Sequence, residues 1–301
     1  MAIALMFSGQ GTQKAGMGKS LYDNDSSSRE IYQRADEILG WNLSGISFDG
    51  PEEALVETRV CQPALFVHGI ALFMALEKMN CLGNVEMAIG LSLGEITALT
   101  AGGVFDFETG LRVVAKRGQL MQQACEQTIG TMASIIGETR EDAQALCHDF
   151  KIQIANLNCP GQIVISGEKE SLLAAVEAGR ERGFRRVIPL NVAGAFHSRL
   201  MEPARKAFAE FLTDIPFAKP RLTVLSNTTG ASVSSPKTIR EALILQIVSP
   251  VLWEDCMRNA SAQGIDTFWE LGSGSVLSGL ARRTNKSWVT RSFSEYSDLA
   301  P

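Results

Sequence analysis

The segment Ala88-Ile-Gly-Leu-Ser-Leu-Gly-Glu-Ile-Thr-Ala98 places one serine between two glycines, after an apolar run and before a run of good helix formers. We interpret residues 87–91 as a short buried strand, with a sharp turn at Ser92 and a helix that begins at Leu93. The G-x-S-x-G spacing is typical of a nucleophile elbow, because small neighbours permit the close backbone approach that leaves the hydroxyl exposed. The helix would direct its free N–H groups toward an oxyanion formed beside that hydroxyl. We therefore consider Ser92 a candidate nucleophile.

The same pattern has a simpler interpretation, in which the serine is an ordinary helix N-cap. Glycine is common in this chain, so the bare pattern would arise by chance in roughly one such chain in five. The strand-like run before the serine and the helical run after it are what favour the elbow.

A serine nucleophile needs a general base, and histidine is the usual one. His68 lies in an apolar helical pattern and is better explained as a packed core residue, while His148 lies among charged residues and is expected to be solvated. His197 lies in a loop of small residues at a predicted domain junction, where catalytic groups often collect. We therefore choose His197 as the base, with a helix-capping histidine as the alternative.

A carboxylate that could orient this histidine is not evident. Between the serine and His197, the candidates Asp142, Asp149 and Glu168 fall on patterns that predict solvent-facing helices. A main-chain carbonyl is therefore the alternative orienting group.

Strands alternate with helices along most of the chain, which predicts an α/β fold with a mostly parallel sheet covered on both faces. The middle follows the order βαββαβ of a ferredoxin-like unit. We predict a small domain over residues 128–192, inserted into a larger domain of residues 1–127 and 193–301. The small domain's predicted strands are 132–136, 152–157, 162–166 and 186–190, and its helices are 140–150 and 168–182. The larger domain's predicted strands are 3–7, 87–91, 223–226 and 267–270, and its helices are 26–39, 51–56, 64–79, 93–101, 107–125, 199–212, 238–247, 251–263 and 276–283.

The composition is that of an ordinary soluble globular protein, with 45% hydrophobic and 20% charged residues among 301. A formal net charge of −5 argues against general binding to nucleic acid or to membrane surfaces. The N-terminus lacks the basic region of a signal peptide, and we expect no apolar run of membrane-spanning length. The six cysteines have no CxxC spacing and predict neither a zinc site nor a disulfide framework, which favours a reducing, cytoplasmic compartment.

A glycine-rich loop, Ser8-Gly-Gln-Gly-Thr-Gln13, follows the first predicted strand. It lacks the lysine and the spacing of a P-loop. We interpret it as a loop that brings main-chain N–H groups close to an anionic group.

Several stretches together resemble one family, the malonyl-CoA:acyl carrier protein transacylases, which are the discrete acyltransferases of fatty-acid synthesis. The family's fold implies an α/β-hydrolase-like core with a ferredoxin-like insert, in agreement with the element order above. The matching stretches are Gly9-Gln-Gly-Thr-Gln13, residues 58–65 with Gln62-Pro63-Ala64, Gly90 to Glu95, Arg117-Gly118, residues 156–167, Gly194-Ala-Phe-His-Ser198, residues 246–253 and Glu270-Leu-Gly-Ser-Gly274.

The resemblance implies a role for each matched catalytic position. Ser92 would be the nucleophile and His197 the general base, oriented by the main-chain carbonyl of Gln246. The main-chain N–H groups of Gln10 and Leu93 would form the oxyanion hole. Ping-pong transfer from malonyl-CoA to the phosphopantetheine thiol of acyl carrier protein would follow, with no metal and no cofactor of the enzyme's own.

The resemblance also implies substrate contacts. Arg117 would hold the free carboxylate of the malonyl group, a task that suits the bidentate fork of a guanidinium. Phe196 would disfavour a branched extender unit by overlap with its α-methyl group. Within the matched stretch over residues 156–167, the substrate-binding positions would be Asn156, Asn158 and Gln162.

Acyl carrier proteins are typically acidic, so a net negative enzyme needs a local basic surface for docking. Two clusters could provide it, and solvated helix-end charges are the alternative interpretation of both. The first is Arg180, Arg182, Arg185 and Arg186, and the second is Arg282, Arg283 and Lys286, with Arg185, Arg186, Arg282 and Arg283 as the predicted docking residues.

Three positions depart from the family's usual residues: Ser8 in place of proline, Leu91 in place of histidine, and Arg199. Two related activities remain open, a trans-acting polyketide synthase acyltransferase and a serine thioesterase or hydrolase. Arg117 argues against the hydrolase, because a neutral ester gives a guanidinium nothing to bind.

Overall fold

The computed structural model describes residues 2–299 of the chain. Its strands are β1 (Ile3–Phe7), β2 (Val85–Gly90), β3 (Gly130–Ile136), β4 (Gln153–Cys159), β5 (Gln162–Glu168), β6 (Arg186–Pro189), β7 (Thr223–Leu225), β8 (Ser232–Val233), β9 (Thr267–Leu271) and β10 (Val289–Phe293). Its helices are α1 (Lys19–Asn24), α2 (Ser26–Leu39), α3 (Leu43–Asp49), α4 (Glu52–Val56), α5 (Thr58–Lys78), α6 (Gly94–Ala101), α7 (Phe107–Gln127), α8 (Arg140–Phe150), α9 (Lys169–Glu181), α10 (Glu202–Phe211), α11 (Pro236–Gln246), α12 (Trp253–Ala262) and α13 (Val276–Thr284).

The larger sheet has six strands in the order β10-β9-β1-β2-β7-β8, and every pair except β7–β8 is parallel. The predicted α/β class with a mostly parallel sheet is therefore confirmed. All five residues of β1 are buried, as expected for a central strand covered on both faces. Because Phe7 is in register with both Gly90 and Leu271, the loops after β1, β2 and β9 leave the sheet at one edge. That edge brings the glycine-rich loop beside Ser92.

The smaller sheet has four strands in the order β4-β5-β3-β6, with antiparallel pairing throughout. The chain order β3-α8-β4-β5-α9-β6 agrees with the elements predicted for this stretch. Two main-chain hydrogen bonds tie this sheet to the loop before α12: Leu157 N–H donates to the Val251 carbonyl, and Val251 N–H donates to the Ala155 carbonyl. Val251 is thereby held as a bridge, which is why α12 begins at Trp253 and not at the predicted residue 251.

Helix α5 corrects two expectations. It begins at Thr58, before the predicted start at residue 64, and it accommodates Pro63 within its second turn. By length and composition alone it could also cross a membrane, contrary to the expected lack of any such apolar run. However, 83% of its most apolar window is buried inside the fold, which is the position of a core helix.

Further differences are local. The predicted helix 199–212 is divided into a 3-10 turn (Arg199–Met201), α10 and a second 3-10 turn (Leu212–Asp214). Helix α2 is capped by Asp25, whose side chain accepts from Ser28 N–H at 2.7 Å. The sequence patterns did not predict α1, α3, β8 or β10.

Candidate active site

The turn between β2 and α6 holds Ser92 in a left-handed backbone conformation, with φ of 56°. The two flanking glycines are required by contact: a methyl group on Gly90 would overlap the main chain of Gly94, and one on Gly94 would overlap the carbonyl of Phe7. The close approach of β2, α6 and β1 thus leaves the serine hydroxyl at the sheet edge. This is the elbow geometry predicted from the G-x-S-x-G spacing.

Ser92 Oγ lies 2.8 Å from His197 Nε2, and His197 Nδ1 lies 2.8 Å from the main-chain carbonyl of Gln246. A carbonyl can only accept, so Nδ1 carries the proton and Nε2 is free to accept from the serine hydroxyl. Burial, with a further contribution from the Arg117 charge, lowers the pKa of His197 to about 4. The imidazole is therefore neutral near pH 7, as a general base must be.

The other two histidines lie where the sequence placed them. His68 is fully buried, its Nδ1 lies 3.4 Å from the Tyr32 hydroxyl, and burial lowers its pKa to about 3. His148 has 91% of its side chain exposed. Neither hydrogen-bonds to the serine hydroxyl, so His197 is its only imidazole partner in the described part of the chain.

Arg117, on α7, is 1% exposed and reaches the same hydroxyl. Its guanidinium donates to Gln62 Oε1 at 2.8 Å, to Gln246 Oε1 at 2.9 Å and to Ser92 Oγ at 3.0 Å. Burial lowers the pKa of Arg117 to about 10, which leaves it charged at neutral pH. A fixed positive charge therefore lies at the Ser92 hydroxyl.

The glycine-rich loop packs directly on the elbow, because a side chain on Gly9 would collide with Leu91. Its Gln10 and the Leu93 that precedes α6 both line the cavity above Ser92. Among residues 2–299, neither the Gln10 nor the Leu93 main-chain N–H donates to another protein group. Two N–H groups are thus available to an anion formed at the serine.

The cavity has a volume of about 260 Å³ and contains the serine and the histidine in its wall. The other predicted substrate residues, Phe196, Asn156, Asn158 and Gln162, also line it. Asn158 Oδ1 is buried without a hydrogen-bond partner in the described chain, so it is available to a ligand. Arg117 is not one of the lining residues, but its guanidinium reaches the cavity's edge through the hydrogen bond to Ser92 Oγ.

The arginines of the two basic clusters differ in their partners: some form ion pairs with carboxylates, and others form hydrogen bonds without an ion pair. Arg180 pairs with Glu177 at 2.6 Å, and Arg182 pairs with Asp149 at 2.7 Å. Arg283 donates to Gln162 Oε1 at 2.6 Å and so contacts the cavity wall. In the remaining predicted pairs, Arg282 donates to Thr290 Oγ1 at 2.7 Å, and the Arg185 main-chain N–H donates to Glu138 at 2.7 Å.

The sequence did not point to three buried polar residues that surround Ser92 and His197. Gln62 lies in one of the stretches that resemble the family, and its side chain accepts a hydrogen bond from Arg117. Glu95 and Asn227 contact the elbow and Gln246. For Gln62 and Glu95, the signal in the sequence was a polar residue within an apolar helical run. For Asn227, the only signal was its position directly after a predicted buried strand.

The acyl transferase domain family matches residues 5–299. The malonyl CoA-acyl carrier protein transacylase of Bacillus subtilis (strain 168) is 39% identical over 299 residues, covering 97% of this chain and 93% of that protein. The crystal structure of the acyl-carrier-protein-S-malonyltransferase of Bartonella henselae superposes with a TM-score of 0.95 at 36% identity, over 99% of this chain and 97% of that one.

A further solved relative is a malonyl-transacylase in complex with a type II PKS acyl-carrier protein. It superposes with a TM-score of 0.96 at 33% identity, over 99% of this chain and 98% of that one. The chain therefore belongs to the acyl transferase domain family, among the malonyl-CoA:acyl carrier protein transacylases.

Proposed function

We propose that the protein transfers a malonyl group from malonyl-CoA to the phosphopantetheine thiol of acyl carrier protein, through a malonyl ester on Ser92. The observation that carries this proposal is the serine hydroxyl itself, held at 2.8 Å by His197 and at 3.0 Å by Arg117. The first is a base for the attack, and the second is a charge for the free carboxylate of the acyl group.

In the first half-reaction, the Ser92 oxygen attacks the thioester carbonyl while its proton passes to His197 Nε2. The negative charge that develops on the carbonyl oxygen is stabilised by the N–H groups of Gln10 and Leu93. The C–S bond then breaks, and the CoA sulfur takes the proton from His197. The second half-reaction reverses these steps with the carrier thiol as nucleophile, so each bond and proton balances.

The main-chain carbonyl of Gln246 takes the place that a carboxylate occupies in other triads, fixing the tautomer and stabilising the imidazolium. The reaction as written needs no metal and no cofactor, because the charge on the carbonyl oxygen is met by main-chain N–H groups. Malonyl-CoA is its substrate, and the phosphopantetheine belongs to the partner.

Arg117 is proposed to bind the malonyl carboxylate, which lies only a few bonds from the reacting carbonyl. Phe196 is proposed to disfavour methylmalonyl by contact with the α-methyl group, and a single methyl allows only partial discrimination. Asn156, Asn158 and Gln162 are proposed contacts for the rest of the substrate. Each lines the same cavity as Ser92.

We also propose the finer description of the fold: an α/β-hydrolase-like core formed by residues 1–127 and 193–301, with a ferredoxin-like domain of residues 128–192 inserted. Support comes from a separate hydrophobic cluster whose buried members all lie between Ala133 and Val187. A cytoplasmic location is proposed as well, supported by six cysteines that are all free thiols.

The carrier is proposed to dock through Arg185, Arg186, Arg282 and Arg283. Supporting this, Arg283 contacts Gln162, which lines the cavity that the phosphopantetheine arm must enter.

Intact-protein mass spectrometry after brief exposure to malonyl-CoA, acetyl-CoA and methylmalonyl-CoA tests the proposal. We expect a malonyl adduct, little methylmalonyl adduct, and no adduct on Ser92→Ala. Added carrier protein with its phosphopantetheine should remove the malonyl group and gain its mass. Loss of the adduct to water at the same rate without carrier would identify a hydrolase instead. Parallel carriers from fatty-acid and polyketide synthesis would distinguish the two pathways.

A further inference from the structure

Two side chains from outside the elbow hold its main chain: Gln246 donates to the Ser92 carbonyl at 3.0 Å, and Asn227 makes two further hydrogen bonds. Asn227 follows β7, and its Oδ1 accepts from Ser92 N–H at 2.7 Å while its Nδ2 donates to the Gly90 carbonyl at 2.8 Å. These two contacts flank Leu91, immediately before the left-handed residue Ser92. A left-handed backbone on a residue other than glycine persists only where surrounding contacts hold it.

Asn227 is itself fixed on both sides. Its main-chain N–H donates to Glu95 Oε2 at 3.0 Å, and its main-chain carbonyl accepts from Leu252 N–H at 2.8 Å. Glu95 Oε2 also accepts from the Gln246 side chain at 2.6 Å. No more than 1% of Asn227, Glu95 or Gln246 is exposed, so water does not compete for these bonds.

We propose that Asn227 is a positioning residue for the reaction at Ser92, locked in place by Glu95 and Gln246. This inference rests on the proposed acyl transfer. It adds that the network joins the nucleophile to the residue whose carbonyl orients His197, so both catalytic groups share one support.

The chemistry of the amide explains why asparagine serves here. One N–H donor and one carbonyl acceptor, in a plane, match the Gly90 carbonyl and the Ser92 N–H. An ionised aspartate offers two acceptors and would face the Gly90 carbonyl with a repelling oxygen. The contact also occupies the Ser92 N–H, which leaves the Leu93 N–H as the elbow's contribution to the oxyanion hole.

The first test compares Asn227→Ala with a matched control, Asn259→Ala. Asn259, on α12, is an exposed asparagine that braces the turn after Asn227 by donating to the Gly230 carbonyl at 2.7 Å, but it does not contact the elbow. We expect Asn227→Ala to lower kcat for malonyl loading about 10- to 100-fold, with KM for malonyl-CoA changed less than about twofold. Asn259→Ala should keep kcat.

Labelling of Ser92 by a fluorophosphonate provides a second measurement, because that reagent needs the nucleophile and oxyanion hole but no malonyl group. Its rate should fall in Asn227→Ala by a factor similar to kcat. If kcat per folded enzyme is unchanged, or falls equally in both variants, Asn227 is only a structural residue. A wild-type enzyme that is labelled but never malonylated would refute the proposed function, and labelling would still decide the inference.

Asn227→Asp gives a pH signature and covers the case in which the alanine variant does not fold. A protonated aspartate restores one donor and one acceptor, so the ratio of its rate to that of wild type should rise at least about fivefold from pH 8 to pH 5.5. The titratable groups around residue 227 are Glu95 on α6, Arg117 on α7, Cys256 on α12, and His197 in the loop after β6. All four are present in both the wild type and Asn227→Asp. A flat ratio would overturn the assignment of both hydrogen bonds.

Discussion

At the scale of single residues, binding of the malonyl carboxylate would change the hydrogen-bond partners that Arg117 has in the free enzyme. In the free enzyme its guanidinium is already engaged by Gln62, Gln246 and the Ser92 hydroxyl. Its Nε is buried without a hydrogen-bond partner among residues 2–299. Three of its five N–H groups are used by the described residues, so a malonyl carboxylate would find a preorganised cation with two unused N–H groups, and ester formation at Ser92 would release a third.

The corresponding prediction is that Arg117→Ala changes the choice of acyl group. Removing one partner of a buried charge pair costs on the order of 2–5 kcal/mol, so malonyl loading should fall by that amount and acetyl loading by much less. Adduct formation on Ser92 from the two CoA esters, measured in competition, checks this. Equal falls for both esters would make Arg117 a structural support of the serine.

At the scale of elements, the junction of β2 and α6 depends on two glycines in mutual contact. We expect Gly90→Ala to force α6 away from β2, at a cost of about 1–3 kcal/mol in unfolding free energy and with loss of Ser92 labelling. The control is Gly279→Ala within α13, where an added methyl meets no atom closer than 3.9 Å. Chemical denaturation and fluorophosphonate labelling measure both effects. Unchanged labelling in Gly90→Ala would contradict the contact argument.

The elements that the sequence predicted well are those with an unbroken pattern. The βαββαβ order and the mostly parallel sheet follow from runs of apolar residues bounded by turn residues. Strand β10 was missed because it is a partly exposed edge strand, and the start of α5 was misplaced because Pro63 imitates a helix start.

The candidate site was only partly predictable, for a related reason. Ser92 lies in a local motif, His197 was found by elimination among three histidines, and the family resemblance assigned the Gln246 carbonyl. The partners Asn227 and Glu95 reach the elbow through pairing of β2 with β7 and packing of α6, which no local pattern encodes. Network contacts between separate elements were therefore beyond sequence reasoning.

At the scale of the whole molecule, a net charge of −5 would oppose an acidic carrier, so the proposed docking needs a local basic surface. Arg185→Glu with Arg186→Glu should raise KM for the carrier and weaken its salt dependence, while self-malonylation stays nearly unchanged. Lys219→Glu with Lys237→Glu makes the same charge change away from the cavity. An equal effect of both pairs would show a general charge effect and no docking site. Arg283 is less suitable, because its reversal also breaks the contact with Gln162.

The unfolding free energy of the whole molecule should depend on pH through buried groups whose contributions have opposite signs. Burial raises the pKa of Glu95 to about 7, so between about pH 4.5 and 7 the folded state binds more protons and the unfolding free energy falls as pH rises. Burial lowers the pKa of His197 to about 4 and of His68 to about 3, so these residues make stability rise with pH up to about 6.5. In the wild type the two trends partly cancel.

Glu95→Gln should remove the falling trend alone. Its unfolding free energy should therefore rise more steeply with pH than that of wild type, and at about 1.36 kcal/mol per pH unit the difference between pH 4.5 and 7 approaches about 3 kcal/mol as an upper bound. Urea unfolding at several pH values measures both curves, with Glu210→Gln at an exposed helix position as the control. Parallel curves for Glu95→Gln and wild type would mean that folding does not raise the pKa of Glu95, so that it is ionised in the folded protein at neutral pH. The Glu95 carboxylate would then be a countercharge for Arg117 at neutral pH. The Gln246 amide lies between the two charges and hydrogen-bonds to both.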